Sequence, residues 1–165
     1  MDKDTNMGLA VAMGADHAGF HLKEQLVVWV KTLGHHPIDV GAYVVDPNDD
    51  FPDFALEVSK RITEGKATKG IVLCGSGVGA SIVANKIPGI RAAMCHDTYS
   101  AHQGVEHDDM NVLCLGARII GVELAKELVA SFLNSKFINE TKYKRRLNKV
   151  LDIESTFIKS SEEQS

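Results

Sequence analysis

The sequence places a cysteine directly before a glycine-rich turn. Cys74 ends an apolar run and is followed by Gly75, Ser76, Gly77 and Gly79. The next residues favour a helix, whose first backbone N–H groups and dipole favour negative charge. A thiolate there can act as a base or nucleophile, and the same N–H groups can hold an anionic substrate. The structural alternative is a small apolar residue packed into a tight turn.

A carboxylate and an imidazole stand side by side after the first predicted strand. They are Asp16 and His17, in the segment from Gly14 to Phe20. Such a pair suits the transfer of protons between oxygens. Asp16 also suits the cap of the following helix, and the two roles are compatible.

A second histidine, His107, lies among acidic residues. It is preceded by Glu106 and followed by Asp108, Asp109 and, after Met110, Asn111. Neighbouring carboxylates favour the protonated form of a histidine, so His107 is a candidate general acid. A metal site is the rival interpretation, but no second histidine stands at helical ligand spacing on a predicted helix. The segment also suits a solvated polar loop, with Asp109 or Asn111 shaping the turn.

Three cations are candidates for binding an anion. Arg118 follows the fifth predicted strand, and Lys142 and Arg146 lie four residues apart on one face of the last predicted helix. Two cations on one face can bind a phosphate or carboxylate. A run of charge on a helix is also typical of a solvated surface.

The glycine turn matches a dinucleotide-binding pattern as well. Gly75 to Ala80 satisfies G-x-G-x-x-A, and Asp97 follows the next predicted strand. That pattern normally follows the first strand of its domain, whereas about seventy residues and two strands precede it here. A nicotinamide-dependent oxidoreductase is therefore disfavoured.

Short apolar runs alternate with amphipathic segments along the chain. Strands are predicted over 9–13, 37–40, 69–74, 90–95 and 112–115, and helices over 20–33, 54–64, 79–85, 99–106, 121–133 and 141–154, with a loop over 42–53. The alternation predicts an α/β fold of the flavodoxin-like (Rossmann-type) class. We expect a three-layer sandwich with a five-stranded parallel sheet in the order 2-1-3-4-5, plus a basic C-terminal helix.

This order has a consequence for the candidate residues. Strands one and three are neighbours whose connections leave in opposite directions, which opens a crevice beyond their carboxyl ends. Asp16 and His17 follow one of these strands, and Cys74 ends the other. The topology therefore predicts that they meet.

The composition is that of an ordinary globular protein. The chain has 165 residues, of which 44% are hydrophobic and 24% charged, and a formal net charge of −4. We expect one domain over 7–158 with flexible tails at 1–6 and 159–165. The charge does not support nucleic-acid binding, and neither a membrane span nor a secretory signal is apparent. Cys74, Cys95 and Cys114 lack zinc-site spacing and fit reduced thiols in the cytoplasm.

Four segments together resemble the type B ribose-5-phosphate isomerases, a family that also contains the galactose-6-phosphate isomerase subunits. The matching segments are 14–19, 74–79, 84–91 and 106–111, within a resemblance that extends from residue 9 to residue 150. The resemblance implies interconversion of an aldose phosphate and a ketose phosphate without a metal or other cofactor. It also implies a homodimer, or a dimer of dimers, with active sites at the subunit interface.

The resemblance assigns the chemical steps to four residues. Cys74 would be the base that moves a proton between C1 and C2 of the sugar. Ser76 would stabilise the enediolate, together with the backbone amides of the turn glycines Gly75, Gly77 and Gly79. Asp16 and His107 would handle ring opening and the hydroxyl protons.

The resemblance also assigns the binding of the phosphate and of the sugar oxygens. His17, Arg118, Lys142 and Arg146 would face the phosphate, some of them from the partner subunit. Asp108 and Asn111 would lie near substrate oxygens.

Three departures from the family pattern concern the sugar. Asp108 stands where the family often has Asn, and Lys142 where it usually has Arg, which replaces a planar fork by a point charge. The basic residue often found just before the histidine motif is absent from 103–105.

We therefore expect an isomerase of ribose 5-phosphate and ribulose 5-phosphate. The nearest alternatives are a tetrose phosphate, allose or galactose 6-phosphate, or an unphosphorylated ketose. A dinucleotide-binding oxidoreductase and a non-catalytic phosphosugar-binding module are the alternatives from other classes.

Overall fold

The computed structural model describes residues 8–162, with side chains up to residue 158. The strands are β1 (Ala10–Ala15), β2 (His36–Asp39), β3 (Lys69–Cys74), β4 (Ala92–Met94) and β5 (Val112–Gly116). The helices are α1 (Phe20–Thr32), α2 (Phe51–Thr63), α3 (Val78–Ala84), α4 (Thr98–Asp108), α5 (Val122–Asn134) and α6 (Thr141–Glu162). The predicted alternation of strands and helices is confirmed.

The five strands form one parallel sheet with helices on both faces. One apolar core joins the sheet to α1, α4 and α5, and a second joins the other face to α2 and α3. Helix α6 lies outside both cores and packs on α4. This is the expected three-layer α/β sandwich with an additional C-terminal helix.

The predicted strand order is wrong at one edge. The sheet has the order β2-β1-β3-β5-β4, so the last two strands are exchanged relative to 2-1-3-4-5. All five residues of β5 are buried, whereas β4 has three residues, none of them buried. A parallel strand covered on both faces needs a continuous apolar run. The apolar β5 therefore takes the interior position, and the short β4 takes the edge.

Two helix boundaries differ from the prediction by three residues or more. Helix α2 begins at Phe51, inside the predicted loop, with Pro52 in its first turn, where proline is favoured because its missing N–H costs nothing. Helix α6 continues to Glu162, so its last turn includes residues that the sequence assigned to the tail over 159–165. The predicted tail over 1–6 and residues 163–165 lie outside the described residues.

The strand register brings three carboxyl ends to one edge of the sheet. Ala15 pairs with Leu73 between β1 and β3, and Cys74 pairs with Gly116 between β3 and β5. The loops that follow these strands therefore leave the sheet side by side. Within residues 8–162, no helix combines the length and apolar composition that crossing a bilayer requires.

Candidate active site

A cavity of about 320 Å³ opens at this edge of the sheet. It is lined by Asp16, Phe51, Cys74, Gly75, Ser76, Gly79, Arg118 and Ile119. The predicted meeting of Asp16 and Cys74 is confirmed, because β1 and β3 are neighbours. The volume lies in the range of small-molecule sites.

The thiol of Cys74 receives a backbone hydrogen bond within this cavity. Gly77 donates its N–H to Sγ at 3.1 Å, and the residue is 4% exposed. A donor aimed at sulfur interacts more strongly with a thiolate than with a thiol. Gly77 has φ +82°, and a Cβ there would lie 3.0 Å from the carbonyl carbon of Leu115. Glycine is therefore required for the turn that aims this N–H.

The other two cysteines differ from Cys74 in their surroundings. Burial, with a smaller contribution from Asp97, raises the pKa of Cys95 to about 11. Burial also raises the pKa of Cys114, which lies in the middle of β5. Neither residue lines the cavity, so both suit the structural role of a packed thiol.

The glycine turn is packed closely against its neighbours. A Cβ at Gly79 would lie 2.7 Å from the ring of Phe51. The hydroxyl of Ser76 accepts the N–H of Val78 at 3.3 Å, while Arg118 donates its backbone N–H to the carbonyl of Gly75. These contacts hold the turn against α2 and the loop after β5.

Asp16 and His17 are both held by hydrogen bonds. Asp16 is buried and accepts the N–H of Gly19 at 3.0 Å, so it stabilises the turn before α1 while lining the cavity. The prediction that it caps the helix is wrong, because the cap of α1 is Gly19 and no side chain caps this helix. Asp49 accepts both the backbone N–H of His17 at 3.0 Å and a hydrogen bond with its Nδ1 at 2.6 Å. Asp49 was not predicted as a partner of His17, because it lies 32 residues away in a loop with several other acidic residues.

The same three side chains are the group with metal-ligand geometry within residues 8–162. Ligand atoms of Asp16, His17 and Asp49 all lie within 4.8 Å of one another. His17 Nδ1 and Asp49 Oδ1 already form a hydrogen bond with each other, at 2.6 Å. Metal-free chemistry stays a prediction.

Arg118 supplies an available positive charge at the cavity. Within residues 8–162 its guanidinium forms no ion pair, and its Cδ would lie 3.6 Å from a Cβ placed on Gly75. An uncompensated guanidinium over the glycine turn is suited to a phosphate or carboxylate.

The remaining candidate residues lie elsewhere on the same chain. None of His107, Asp108, Asn111, Lys142 and Arg146 lines the cavity. His107, on α4, contacts the amide nitrogen of Gln103 at 2.7 Å, and its ring stacks on that of Tyr143 with centroids 4.1 Å apart. Gln103 and Tyr143 were not singled out from the sequence.

Asp108 and Asn111 differ in their contacts. Asp108 is exposed and lines a separate groove of about 810 Å³, which we call the α6 groove because Val150, Ile153 and Phe157 of that helix contribute to it. The amide of Asn111 accepts the N–H of Arg91 and donates to a backbone carbonyl in the preceding loop. The Asn111 side chain therefore joins this segment to the loop before β4, whereas Asp109, which ends α4 with φ +51°, shapes the turn.

The two cations of α6 are at the surface. A hydrogen bond with Tyr143 and the nearby carboxylate of Glu140 raise the pKa of Lys142, whose Nζ lies 3.3 Å from that carboxylate. Arg146 is exposed and has no ion pair within residues 8–162. Their shared face is available to a group from outside the chain.

Comparison with known proteins shows to which family the chain belongs. A family model described as Ribose/Galactose Isomerase matches residues 11–150. The chain belongs to the ribose/galactose isomerase family. Its sequence is 44% identical to a D-erythrulose-4-phosphate isomerase of Pectobacterium atrosepticum, covering 78% of this chain and 85% of that protein. It is 41% identical to the ribose-5-phosphate isomerase B of Escherichia coli, covering 77% and 85%.

Solved structures of the family have the same fold. The type B ribose 5-phosphate isomerase of Trypanosoma brucei superposes with a TM-score of 0.85 at 41% identity, covering 89% of this chain and 99% of that one. The predicted family and the aldose–ketose isomerase class are confirmed. Membership in this family favours a sugar isomerase over a dinucleotide-binding oxidoreductase. The role of the glycine turn stays a prediction.

Proposed function

We propose that this protein interconverts D-ribose 5-phosphate and D-ribulose 5-phosphate through an enediolate, with Cys74 as the base. The observation that carries the proposal is the cavity in which the Cys74 sulfur, Asp16 and Arg118, which has no ion pair among the described residues, surround a turn of backbone N–H groups. An isomerase of sugar phosphates needs a base, a proton relay for oxygens, donors for the developing charge and a cation for the phosphate. The family supplies the reaction class, and the cavity contains a candidate for each part.

The proposed reaction starts with opening of the sugar ring. Asp16 accepts the proton of the anomeric hydroxyl, the bond from C1 to the ring oxygen breaks, and His107 supplies a proton to the released oxygen. The open form presents an aldehyde at C1 and a hydroxyl at C2. The buried position of Asp16 beside the cavity supports its part in this step.

Proton transfer at carbon follows. The Cys74 thiolate removes the proton from C2, and the electrons move onto O1 to give the enediolate. The hydroxyl proton passes from O2 to O1, and the thiol returns its proton to C1, which leaves the ketose carbonyl at C2. Backbone N–H groups of the turn would stabilise the oxyanion, and each such donor contributes about 3 kcal/mol.

The phosphate of the substrate is proposed to lie near Arg118 and His17. His17 is held by Asp49 through two hydrogen bonds, so its ring is oriented before substrate arrives. Lys142 and Arg146 would complete the phosphate site from a second subunit.

A homodimer is proposed because one chain does not bring all these residues together. Lys142, Arg146 and His107 lie on α4 and α6, away from the Cys74 cavity. Helix α6 also exposes apolar side chains, with Ile153 60% and Phe157 72% exposed, beside the α6 groove. A second subunit covering this face would bury apolar surface and bring the basic residues to a cavity. The cytoplasmic location stays a prediction.

Mixing two inactive variants tests the shared site directly. Cys74→Ala and His107→Ala are each expected to be inactive, but a mixed dimer would hold one site with both native residues. Refolding an equal mixture should restore about a quarter of the wild-type activity, since half the dimers are mixed and each has one intact site. Each variant refolded alone is the control. An inactive mixture with confirmed mixed dimers would show that both residues act from one chain.

A tetrose phosphate is the second candidate substrate. The relative at 44% identity is named as an isomerase of D-erythrulose 4-phosphate, and Asp108 departs from the family pattern. Initial rates with the four- and five-carbon ketose phosphates, each beside its unphosphorylated sugar, would decide between them. A higher kcat/KM for the tetrose phosphate would overturn the pentose assignment while leaving the reaction class intact.

A further inference from the structure

Two of the three carboxylates near His107 in the sequence form ion pairs with other residues. Glu106 pairs with His102 Nδ1 at 3.0 Å, and Asp109 pairs with the guanidinium of Arg91 at 2.7 Å. Asp108 is exposed and forms no ion pair within residues 8–162. The groups that contact the His107 ring are instead two uncharged side chains, Gln103 and Tyr143.

The contact with Gln103 determines which ring nitrogen of His107 carries the proton. Gln103 precedes His107 by one helical turn on α4, and its Nε2 lies 2.7 Å from His107 Nδ1. With the amide nitrogen facing the ring, as in this structure, Gln103 donates and Nδ1 accepts, whereas an amide oxygen in the same place would require the proton on Nδ1. The neutral imidazole then carries its proton on Nε2. An imidazolium would place an N–H of the ring against the N–H of the amide.

The contact with Tyr143 fixes the plane of the same ring. The two rings are stacked with 19° between their planes, and Tyr143 is 8% exposed. A buried aromatic partner from α6 restricts the imidazole to one plane, and the contact of Nδ1 with Gln103 favours one of the two ring orientations within that plane. The direction of the Nε2–H bond is therefore set by α4 and α6 together.

We propose that Gln103 is a positioning residue that holds His107 as a neutral imidazole with its proton on Nε2, which presents a hydrogen-bond donor to a substrate oxygen. The inference rests on the proposed function, because in that reaction His107 contacts an oxygen of the substrate. A neutral imidazole donor can stabilise charge that develops on oxygen without first being a cation. From the sequence, by contrast, the flanking carboxylates predicted that negative charge favours the protonated form of His107.

Nuclear magnetic resonance identifies the tautomer of His107 independently of enzyme activity. The full-length protein is labelled with ¹⁵N-histidine, two-bond ¹H–¹⁵N correlations are recorded at pH 7.5, and His107→Gln assigns the signal. The wild type should show the Nε2–H tautomer, Gln103→Leu a mixture of both tautomers, and Gln103→Glu a proton on Nδ1. An imidazolium or Nδ1–H signal in the wild type, or an unchanged signal in Gln103→Leu, would overturn the proposal.

Kinetics then connect the tautomer to the reaction. Gln103→Glu should lower kcat by about tenfold or more while KM for the phosphosugar stays within about threefold, because general acid–base groups act mainly on the chemical step. Gln25→Glu is the matched control, since Gln25 is an exposed helical glutamine that donates to a backbone carbonyl. A full kcat in Gln103→Glu together with a shifted tautomer would contradict the positioning role.

Failure of the two proposals gives different results. If His107→Ala retains full kcat, the role of His107 in the proposed function is wrong, whatever its tautomer. If His107→Ala loses activity but the wild-type signal is that of an imidazolium, the proposed function stands and the assignment to Gln103 is wrong.

Discussion

The Cys74 cavity and the His107 region are built in opposite ways. The Cys74 cavity lies at the carboxyl ends of buried strands, and a backbone N–H reaches the sulfur from the same loop. The His107 region is formed where α4 meets α6, and its neighbours Lys142, Arg146 and Asp108 are exposed. One site is enclosed by its own chain, whereas the other presents its functional groups outward.

The Cys74 cavity is formed within one chain, whereas the proposed phosphate site needs residues of a second subunit. A base that needs aimed N–H groups must sit on rigid elements, and the sheet edge provides them. Cations that bind a phosphate need only converge when the substrate is bound, so they can come from a second subunit. The comparison is tested by substitutions in both regions and at the opposite end of the sheet.

Removing the thiol should have the largest effect. Cys74→Ala is expected to lower kcat by about 10³-fold, because it removes the proposed base while the cavity around it remains. Steady-state kinetics and retained binding of the sugar phosphate, measured by calorimetry, check this. Cys95→Ala is the matched control, since Cys95 is also buried but lies outside the cavity. Comparable activity in both variants would remove Cys74 from the mechanism.

Changing the turn should affect both activity and stability. Gly77→Ala is expected to lower kcat by about 10²-fold, because the turn can no longer hold the backbone N–H of residue 77 towards the sulfur, and misplacing one aimed donor has an effect of this size. It should also lower the free energy of unfolding by about 1–3 kcal/mol, because alanine at φ +82° is strained and its Cβ meets β5. Urea denaturation and kinetics measure the two effects.

The neighbouring glycine provides the control for stability. A Cβ on Gly75 would meet only the Arg118 side chain, at an ordinary 3.6 Å. Gly75→Ala should therefore keep the wild-type unfolding midpoint. Equal destabilisation by both substitutions would show that the turn is not specifically strained at Gly77.

Removing a cation of α6 should affect binding more than chemistry. Arg146→Ala is expected to raise KM for the sugar phosphate by about tenfold, since a charge-assisted hydrogen bond contributes about 1.5–3 kcal/mol. Arg145→Ala is the control one residue away, on a face that Lys144 and Lys149 share. A KM that rises equally for the unphosphorylated sugar would argue against a phosphate contact.

At the amino end of β3, a buried cation should affect stability alone. Burial, opposed in part by Asp109, lowers the pKa of Lys69 to about 8 from its usual 10.5. Between these values the unfolded chain holds a proton that the folded chain has lost, so stability rises with pH in this window. The gain from pH 7 to pH 9 should be about 1 kcal/mol.

A variant isolates this contribution. Lys69→Met removes the titrating group, together with its hydrogen bonds to the carbonyls of Phe132 and Ser135 at the end of α5. Its unfolding free energy should rise less between pH 7 and pH 9 than that of the wild type, with kcat unchanged. Parallel curves for the two proteins would show that Lys69 does not titrate in this range.

Strand and helix types were predictable because hydrophobic periodicity reports which faces are buried. The exchange of β4 and β5 was not predicted, although the difference between a continuous apolar run and a three-residue strand contained the signal. Pro52 likewise indicated that α2 begins at Phe51, where the ring packs against Gly79. In both cases the local sequence contained the signal: the length of the apolar run in one, and the position of a proline in the other.

The partners of the two histidines were not predictable in the same way. Asp49 reaches His17 from a loop 32 residues away, and Tyr143 reaches His107 from another helix. Periodicity specifies faces of elements, but it does not specify which loop atoms or ring planes meet. Such contacts depend on how helices and loops are placed across the sheet.

The sequence by itself determined that a thiol ends a buried strand beside a glycine turn, because apolar runs and glycines act locally on the backbone. It also determined that Asp16 would lie near this thiol, because parallel neighbours share one carboxyl edge. Only the tertiary structure decided that Asp49 binds His17 and that Tyr143 stacks on His107. Hydrogen bonds depend on distances of a few tenths of an ångström, which packing between elements sets and local sequence does not.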